Sequence, residues 1–168
     1  MSIEREALID DLQTLKAAVA GISVPEKEYC CYGCGVVVAT GIGATEVQLN
    51  LNFTIVNNFT STFVASSNRI TVNKTGKFMV SVDVALSDAN RNSNTFKIYV
   101  KKNTTALTAG DSYIESPSTA SRTASASIQY IVDITSGDYL SIYAIRSAGV
   151  STTGAQVANA TRITIVEL

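Results

Sequence analysis

The sequence predicts an all-β sandwich preceded by one short N-terminal α-helix, and three observations carry that prediction. Apolar and polar residues alternate over several runs in the second half of the chain, the pattern of strands with one buried face. Clusters of Gly, Asn, Asp and Ser punctuate these runs at regular intervals. Charged residues are 16% of the 168, well below the ~25% typical of soluble domains, and Ser, Thr and Asn take their place. A chain of this length suits one domain with a full core.

The helix is expected over residues 3–22. Leu8, Leu12, Leu15, Val19 and Ile22 recur at alternating four- and three-residue steps, the a/d spacing of heptads. Ser2 is placed to cap it, and Gly21 and Pro25 mark its end. A helix of two to three heptads is too short to be stable alone. Its stripe therefore needs a surface: other copies about a threefold axis, a partner protein, or the flank of its own domain. Residues 1–24 read as a trimerisation or anchoring segment, 25–45 as a linker arm bearing all three cysteines, and 46–168 as the β domain.

Val36 to Thr40 is a short apolar run broken by Gly41-Ile-Gly43. Val47, Leu49, Leu51 and Phe53 alternate with Gln48, Asn50 and Asn52. Phe59 to Ala65 is a further short strand. Ile70 and Val72 precede Lys74-Thr75-Gly76, a turn in which Gly76 is expected to supply a positive φ. Phe78, Val80, Val82, Val84 and Leu86 share one face of the clearest strand, and Met79, Ser81, Asp83 and Ala85 share the other. Phe96, Ile98 and Val100 continue the alternation up to Lys101-Lys102-Asn103. Thr104 to Thr123 reads as a long surface connection. Ile128, Tyr130, Val132 and Ile134 alternate before the Ser136-Gly137-Asp138 turn, Leu140, Ile142 and Ala144 after it. Ile163 and Ile165 end the pattern.

Composition also excludes functions. A net charge of −1 provides no field to hold nucleic acid or an anionic membrane. No apolar run reaches the ~18 residues needed to span a bilayer. The acid-studded start, Met1-Ser-Ile-Glu-Arg-Glu, lacks the positive region and apolar stretch of a secretory signal, so synthesis in a cytoplasm is expected. Asn52, Asn58, Asn73, Asn103 and Asn159 open Asn-x-Ser/Thr triplets, which chance explains in a chain this rich in Asn and Thr. With no histidine, the triads and metal sites built on imidazole are absent. Asp88, Asn90, Asn92 and Asn94 alternate like the opening of a calcium loop, but Ser93 and Tyr99 stand where Gly and Glu are required. No cofactor and no enzymatic activity are expected. Cys30, Cys31 and Cys34 fit three states: reduced thiols packed as small hydrophobes, a disulfide, or part of a zinc site completed by another subunit.

Four segments carry a family resemblance. They are Ile70-Thr-Val-Asn-Lys-Thr-Gly76-Lys-Phe-Met-Val-Ser-Val, Ile98-Tyr-Val-Lys-Lys-Asn103, Val132-Asp-Ile-Thr-Ser-Gly137-Asp138-Tyr-Leu-Ser-Ile-Tyr143 and Ala160-Thr-Arg-Ile-Thr-Ile-Val-Glu-Leu168. In this order they resemble the jelly-roll domain shared by the complement component one-q head and tumour necrosis factor, most closely its bacterial and bacteriophage versions. Thr104 replaces the glycine that follows Lys-Asn in the family. The resemblance covers about two thirds of the chain, from Phe53 onward, and implies a jelly-roll sandwich working as a homotrimer. It also implies that outward-facing Met79, Ser81, Asp83, Tyr139, Ser141, Tyr143 and Ile145 meet neighbouring subunits, where three copies of Asp83 would repel one another unless compensated.

The function implied is that of a structural virion protein: a trimeric decoration or cement protein on a bacteriophage head, with the major capsid protein or another virion protein as partner. The alternative is the receptor-binding tip of a fibre, with the loops Asp88–Asn94, Ala109–Thr123 and Ala148–Asn159 as contact surfaces. Against it, those loops hold no Trp and Tyr113 is their one aromatic residue.

Overall fold

The structure is a computed structural model that describes residues 27–35, 38–57, 60–88, 94–107, 112–116, 122–149 and 154–168. The Leu8–Ile22 stripe, residues 89–93 of the calcium-like loop and most of the two longer loops lie outside them. Among the described residues every regular element is a strand: β1 (Tyr29–Gly33), β2 (Val47–Gln48), β3 (Phe53–Asn57), β4 (Phe63–Ser66), β5 (Arg69–Val72), β6 (Gly76–Asp88), β7 (Asn94–Lys102), β8 (Thr105–Ala106), β9 (Ser112–Ser116), β10 (Arg122–Ile134), β11 (Asp138–Ala148), β12 (Gly154–Gln156) and β13 (Arg162–Glu167).

These strands form two antiparallel sheets. The first runs β10-β6-β13-β1-β3, with β12 also paired to β6; the second runs β4-β5-β11-β7-β8, with β2 on β11 and β9 on β7. The chain passes repeatedly from one sheet to the other, so most partners are distant in sequence. The alternation read from the sequence fixes the interior. Phe78, Val80, Val82, Ile128, Ile163 and Ile165 from the first sheet meet Ile70, Phe96, Ile98, Leu140 and Ile142 from the second, all buried. The Phe63 and Phe78 rings meet edge-to-face, with centroids 6.2 Å apart. Tyr32 carries its hydroxyl across the sandwich and donates to the Phe63 carbonyl at 3.1 Å.

Several elements differ from the sequence reading. The Cys-bearing arm is no linker. Its residues Tyr29–Gly33 form β1, an interior strand hydrogen-bonded to β13 on one side and β3 on the other. The expected connection from Thr104 to Thr123 contains β8 and β9, both paired to β7. Gly76 is the first residue of β6 and is not among the positive-φ glycines; Gly41, Gly137 and Gly149 are. The β5–β6 connection crosses between sheets and is no hairpin. A tight hairpin does join β4 and β5, with Ser67 at φ 52° and Asn68 at φ 61°, the twist that matches right-handed strands.

A buried amide does the work of a strand near one edge. Gln156 is 2% exposed. Its Oε1 accepts from the Ala39 and Asn50 backbone N–H groups at 3.0 and 2.9 Å, and its Nε2 donates to the Asn50 carbonyl at 3.0 Å. The segment around residues 38–50 is tied to β12 by this amide together with backbone bonds: Ile42 and Gly154 exchange N–H to carbonyl bonds, and the Gln156 N–H donates to the Ala39 carbonyl.

Candidate functional site

The outer face of the first sheet is assembled by cross-strand register. Tyr29 stands opposite Val166, Val166 opposite Met79, and Met79 opposite Ile131. Four strands thus place four large apolar side chains in one row. Ile131 is 69% exposed and Tyr29 41%. Leu168, half exposed, follows β13 at the same end of the sheet, where its N–H donates to the Lys77 carbonyl at 2.9 Å. Three of the four large hydrophobics exposed among the described residues therefore gather in one place; Val64, on β4, is the fourth. The next row is small and neutral: Cys31, Thr164, Ser81 and Gln129. The Gln129 amide donates to Ser81 Oγ and reaches Met79 Sδ, both at 3.2 Å. The third row holds Arg162, Asp83 and Ser127. Asp83 is in register with Arg162 and its carboxylate accepts from Ser127 Oγ at 2.5 Å.

The other residues expected at the same interface lie elsewhere. Tyr139, Ser141, Tyr143 and Ile145 belong to β11, in the second sheet, and look out from the opposite side of the sandwich. Alternation assigns a residue to the inside or outside of its strand but is silent about which sheet the strand joins. Ser141 is on the outward side of β11 but covered, at 1% exposed. Tyr139 instead lies under the Arg69 guanidinium, 4.6 Å from its ring centre.

The three cysteines occupy different environments and are free thiols. Cys30 points into the core, Cys31 points outward and accepts a hydrogen bond from Thr164 Oγ1 at 3.4 Å, and Cys34 is buried beyond the end of β1. Burial pushes the Cys30 and Cys34 thiols up from their ordinary range. Cys30 and Cys34 are four residues apart on extended chain, about 13 Å at strand rise, beyond the ~7 Å Cα limit for a disulfide. Among the described residues no group of three or more Cys, Asp or Glu side chains is placed to hold a metal ion.

Two segments singled out in the sequence come together. Asn103, at φ 55°, donates its amide to Asp138 Oδ1 at 2.7 Å, and its Oδ1 accepts from the Tyr139 N–H at 3.0 Å. The Thr135 N–H donates to Asp138 Oδ2 at 2.9 Å. The Lys-Lys-Asn end of β7 thereby locks the Gly-Asp turn between β10 and β11. The Asn103 amide, then the Thr135 N–H, hold the Asp138 carboxyl below its ordinary range. Because the folded value is depressed, the stabilisation is complete above the ordinary carboxylate pKa of about 4 and is lost as pH falls through the lower folded value. Asp138→Asn is expected to flatten the acid limb of a melting-temperature profile and to cost about 1 kcal/mol at neutral pH. An unchanged acid limb would remove Asp138 from the account.

A depression of about 560 Å³ opens on the outer face of the second sheet. Tyr99 and Tyr143, opposite each other on β7 and β11, stack with centroids 6.0 Å apart. Lys97, Lys101 and Arg146 line it beside Glu46 and Ile145. The Tyr99 O–H donates to Glu46 Oε2, and Lys101 Nζ donates to Glu46 Oε1 at 2.5 Å. Lys101, then Tyr99, hold the Glu46 carboxyl below its ordinary range, so it is an anion at neutral pH. The register shift between Arg146 and Ala148 explains why Arg146, which strict alternation would send inward, lines the depression.

Solved structures with the same arrangement of strands decide the architecture. Murine APRIL at pH 5.0 is similar with a TM-score of 0.58 and 11% identity, covering 85% of this chain and 100% of that one. The pH 8.0 form of murine APRIL gives 0.55 and 10% over the same shares. The Eiger TNF structure from S. frugiperda gives 0.54 and 13%, covering 84% of this chain and 92% of that one. The fold is a tumour-necrosis-factor-like jelly roll. No protein-family model matches the chain and no curated protein matches it in sequence. At 10–13% identity the likeness speaks for the arrangement of strands and leaves the surfaces to be read from their own chemistry. In this jelly roll the two surfaces with most to offer a partner are the apolar row of the first sheet and the cationic depression of the second.

Proposed function

We propose that the protein is a non-enzymatic structural module that works as a homotrimer, its copies packed through the outer face of the first sheet. We further propose that the trimer is a decoration or cement knob on the outside of a bacteriophage head. One observation carries the assembly: Tyr29, Val166, Met79 and Ile131 form an apolar row across four hydrogen-bonded strands. Leaving Ile131 69% exposed is costly for a lone domain, and burying such a side chain contributes about 1.5–3 kcal/mol. The flanking row of Cys31, Thr164, Ser81 and Gln129 carries no charge, so burying it against another copy strips no ion of its water. The virion role is supported by the sequence resemblance to phage structural versions of this domain and by the low charge. Shell proteins of this kind add many weak contacts through multivalency.

The expected outcome is twofold. Purified protein should sediment at three times the 17.8 kDa of one chain. Added to heads of the parent phage that lack it, it should bind and raise the temperature at which they release DNA. A monomer at micromolar concentration would overturn the assembly; a trimer that ignores the heads would overturn the virion role alone.

A further inference from the structure

Residues 1–26 lie outside the described residues, but the place where the chain joins the sandwich is fixed. Lys74, in the β5–β6 connection, holds Glu28 Oε1 at 3.2 Å and Glu167 Oε1 at 2.9 Å, and the Glu167 N–H donates to the Glu28 carbonyl at 2.9 Å. The next residue, Tyr29, is the first member of the apolar row. The chain therefore enters the first sheet at the end of the face that carries the row, beside Val166 and Leu168. The opposite end of the same face is where Asp88 pairs with Arg122. Ile131, three strands from Tyr29, stands 69% exposed, so the row is open to a second copy.

The N-terminal segment carries the repeat of a parallel coiled coil. With Leu12 and Val19 at a, and Leu8, Leu15 and Ile22 at d, Asp11 falls at g and Lys16 at e of the next heptad. These are the positions whose charges meet between neighbouring parallel helices. Within one helix, residues five apart are turned about 140° from each other and do not meet.

We propose, on the basis of the trimer reading above, that the apolar row continues beyond the sheet as a short parallel three-stranded coiled coil. Its strands are the N-terminal segments of the three copies, and the Leu8–Ile22 stripe is its core. Packing through the first sheet brings three entry points to one end of the particle, all pointing the same way. That is the arrangement in which Asp11 of one copy meets Lys16 of the next. Two to three heptads do not hold chains together alone, but tethered side by side they meet at an effective concentration on the order of millimolar. From Ile22 to Tyr29 the chain spans at most ~24 Å, so the stripe begins within reach of the row. Folding back over its own sheet is the poorer fit. Leu8 to Ile22 covers about 21 Å of helix, against about 14 Å across the four strands of the row, so part of the stripe would still face water.

The test is dilution of the full chain, with mass read by analytical ultracentrifugation. Leu12→Asp combined with Leu15→Asp should raise the concentration at which half the trimer dissociates by about tenfold or more, with the strand signature in circular dichroism unchanged. Asp11→Lys alone should raise it about threefold, and Asp11→Lys combined with Lys16→Asp should restore it. Recovery by exchanging charges that do not meet within one helix requires contact between chains. The charge exchange touches no core position, so it keeps the test standing if the double aspartate variant fails to fold. The proposal is overturned if the stripe variant dissociates at the wild-type concentration or if the charge exchange brings no recovery. It also falls if the stripe variant associates more tightly, the result of uncovering a row shielded by its own segment. A wild-type monomer removes the trimer reading and the coiled coil together. A trimer that Met79→Asp breaks and the stripe variants leave untouched removes the coiled coil alone.

Discussion

Met79→Asp and Ile131→Asp are each expected to turn a trimer into a monomer at micromolar concentration, with the fold intact. Both side chains point away from the core, so neither supports the interior packing of its own sheet; their neighbours Val80, Val82 and Val132 do that. In an assembly through this face each substitution acts three times. Every copy loses about 1.5–3 kcal/mol of apolar burial and gains a carboxylate that must be dehydrated without a partner. Sedimentation equilibrium gives the mass, and circular dichroism checks that the sandwich persists. Cys31, in the adjacent row of the same face, provides a second readout, since its alkylation should be slow in the trimer and faster in the variants. Val64→Asp is the matching control. Val64 is 42% exposed on β4 of the other sheet, and its replacement should leave the mass unchanged. Should both aspartate variants stay trimeric, the copies meet through some other surface.

Gln156→Ala should be the most damaging single change to stability away from the large apolar residues. The amide satisfies three backbone groups, the Ala39 and Asn50 N–H and the Asn50 carbonyl. At 2% exposure water does not replace it without opening the edge of the sandwich. Each buried group left without a partner costs about 1–3 kcal/mol. The total loss should therefore be about 3–5 kcal/mol after partial relaxation, a large share of the ~5–15 kcal/mol that holds a typical domain together. Urea unfolding should show a much lower midpoint with a similar slope. Gln156→Glu isolates the lost donor. It keeps an acceptor for the two N–H groups but faces the Asn50 carbonyl with a second oxygen. Burial raises the folded pKa of this new carboxyl, so the variant should recover stability as pH falls and lose it as pH rises. A midpoint within error of wild type for Gln156→Ala would show that the 38–50 segment is held by other contacts.

Much of the sandwich was legible in the sequence because period-two alternation is a local property. Phe78 to Leu86, Phe96 to Val100, Ile128 to Ile134, and Ile163 with Ile165 all face inward as read. Sheet membership was not legible, because it is decided by long-range pairing. The strand of Met79 and the strand of Tyr143 have similar patterns, yet one joins the first sheet and the other the second. β1 was hidden by its composition: Tyr-Cys-Cys-Tyr-Gly invites a metal or redox reading, while it is an ordinary interior strand with one cysteine on each face. The short β8 and β9 lie in a polar stretch with little alternation to betray them. Half of the cationic depression left a signal. Lys97, Tyr99 and Lys101 are the outward members of a clear strand, a basic-aromatic-basic stripe that sequence reading noted only as alternation. Its other half, Glu46 and Arg146, depends on a segment far away in sequence and on a bulge.

The position of β13 also bears on how the protein comes to be folded. Among the described residues it is the bridge in the first sheet between β1 with β3 and β6 with β10, and it follows β1 by about 130 residues of chain. While the ribosome is still upstream of Arg162, that layer exists as two unconnected halves with their apolar sides bare. Closing so long a span is entropically slow. Nascent chains should therefore lean on chaperones until the final segment emerges, and chains cut short before it should aggregate instead of forming a smaller, soluble version of the domain.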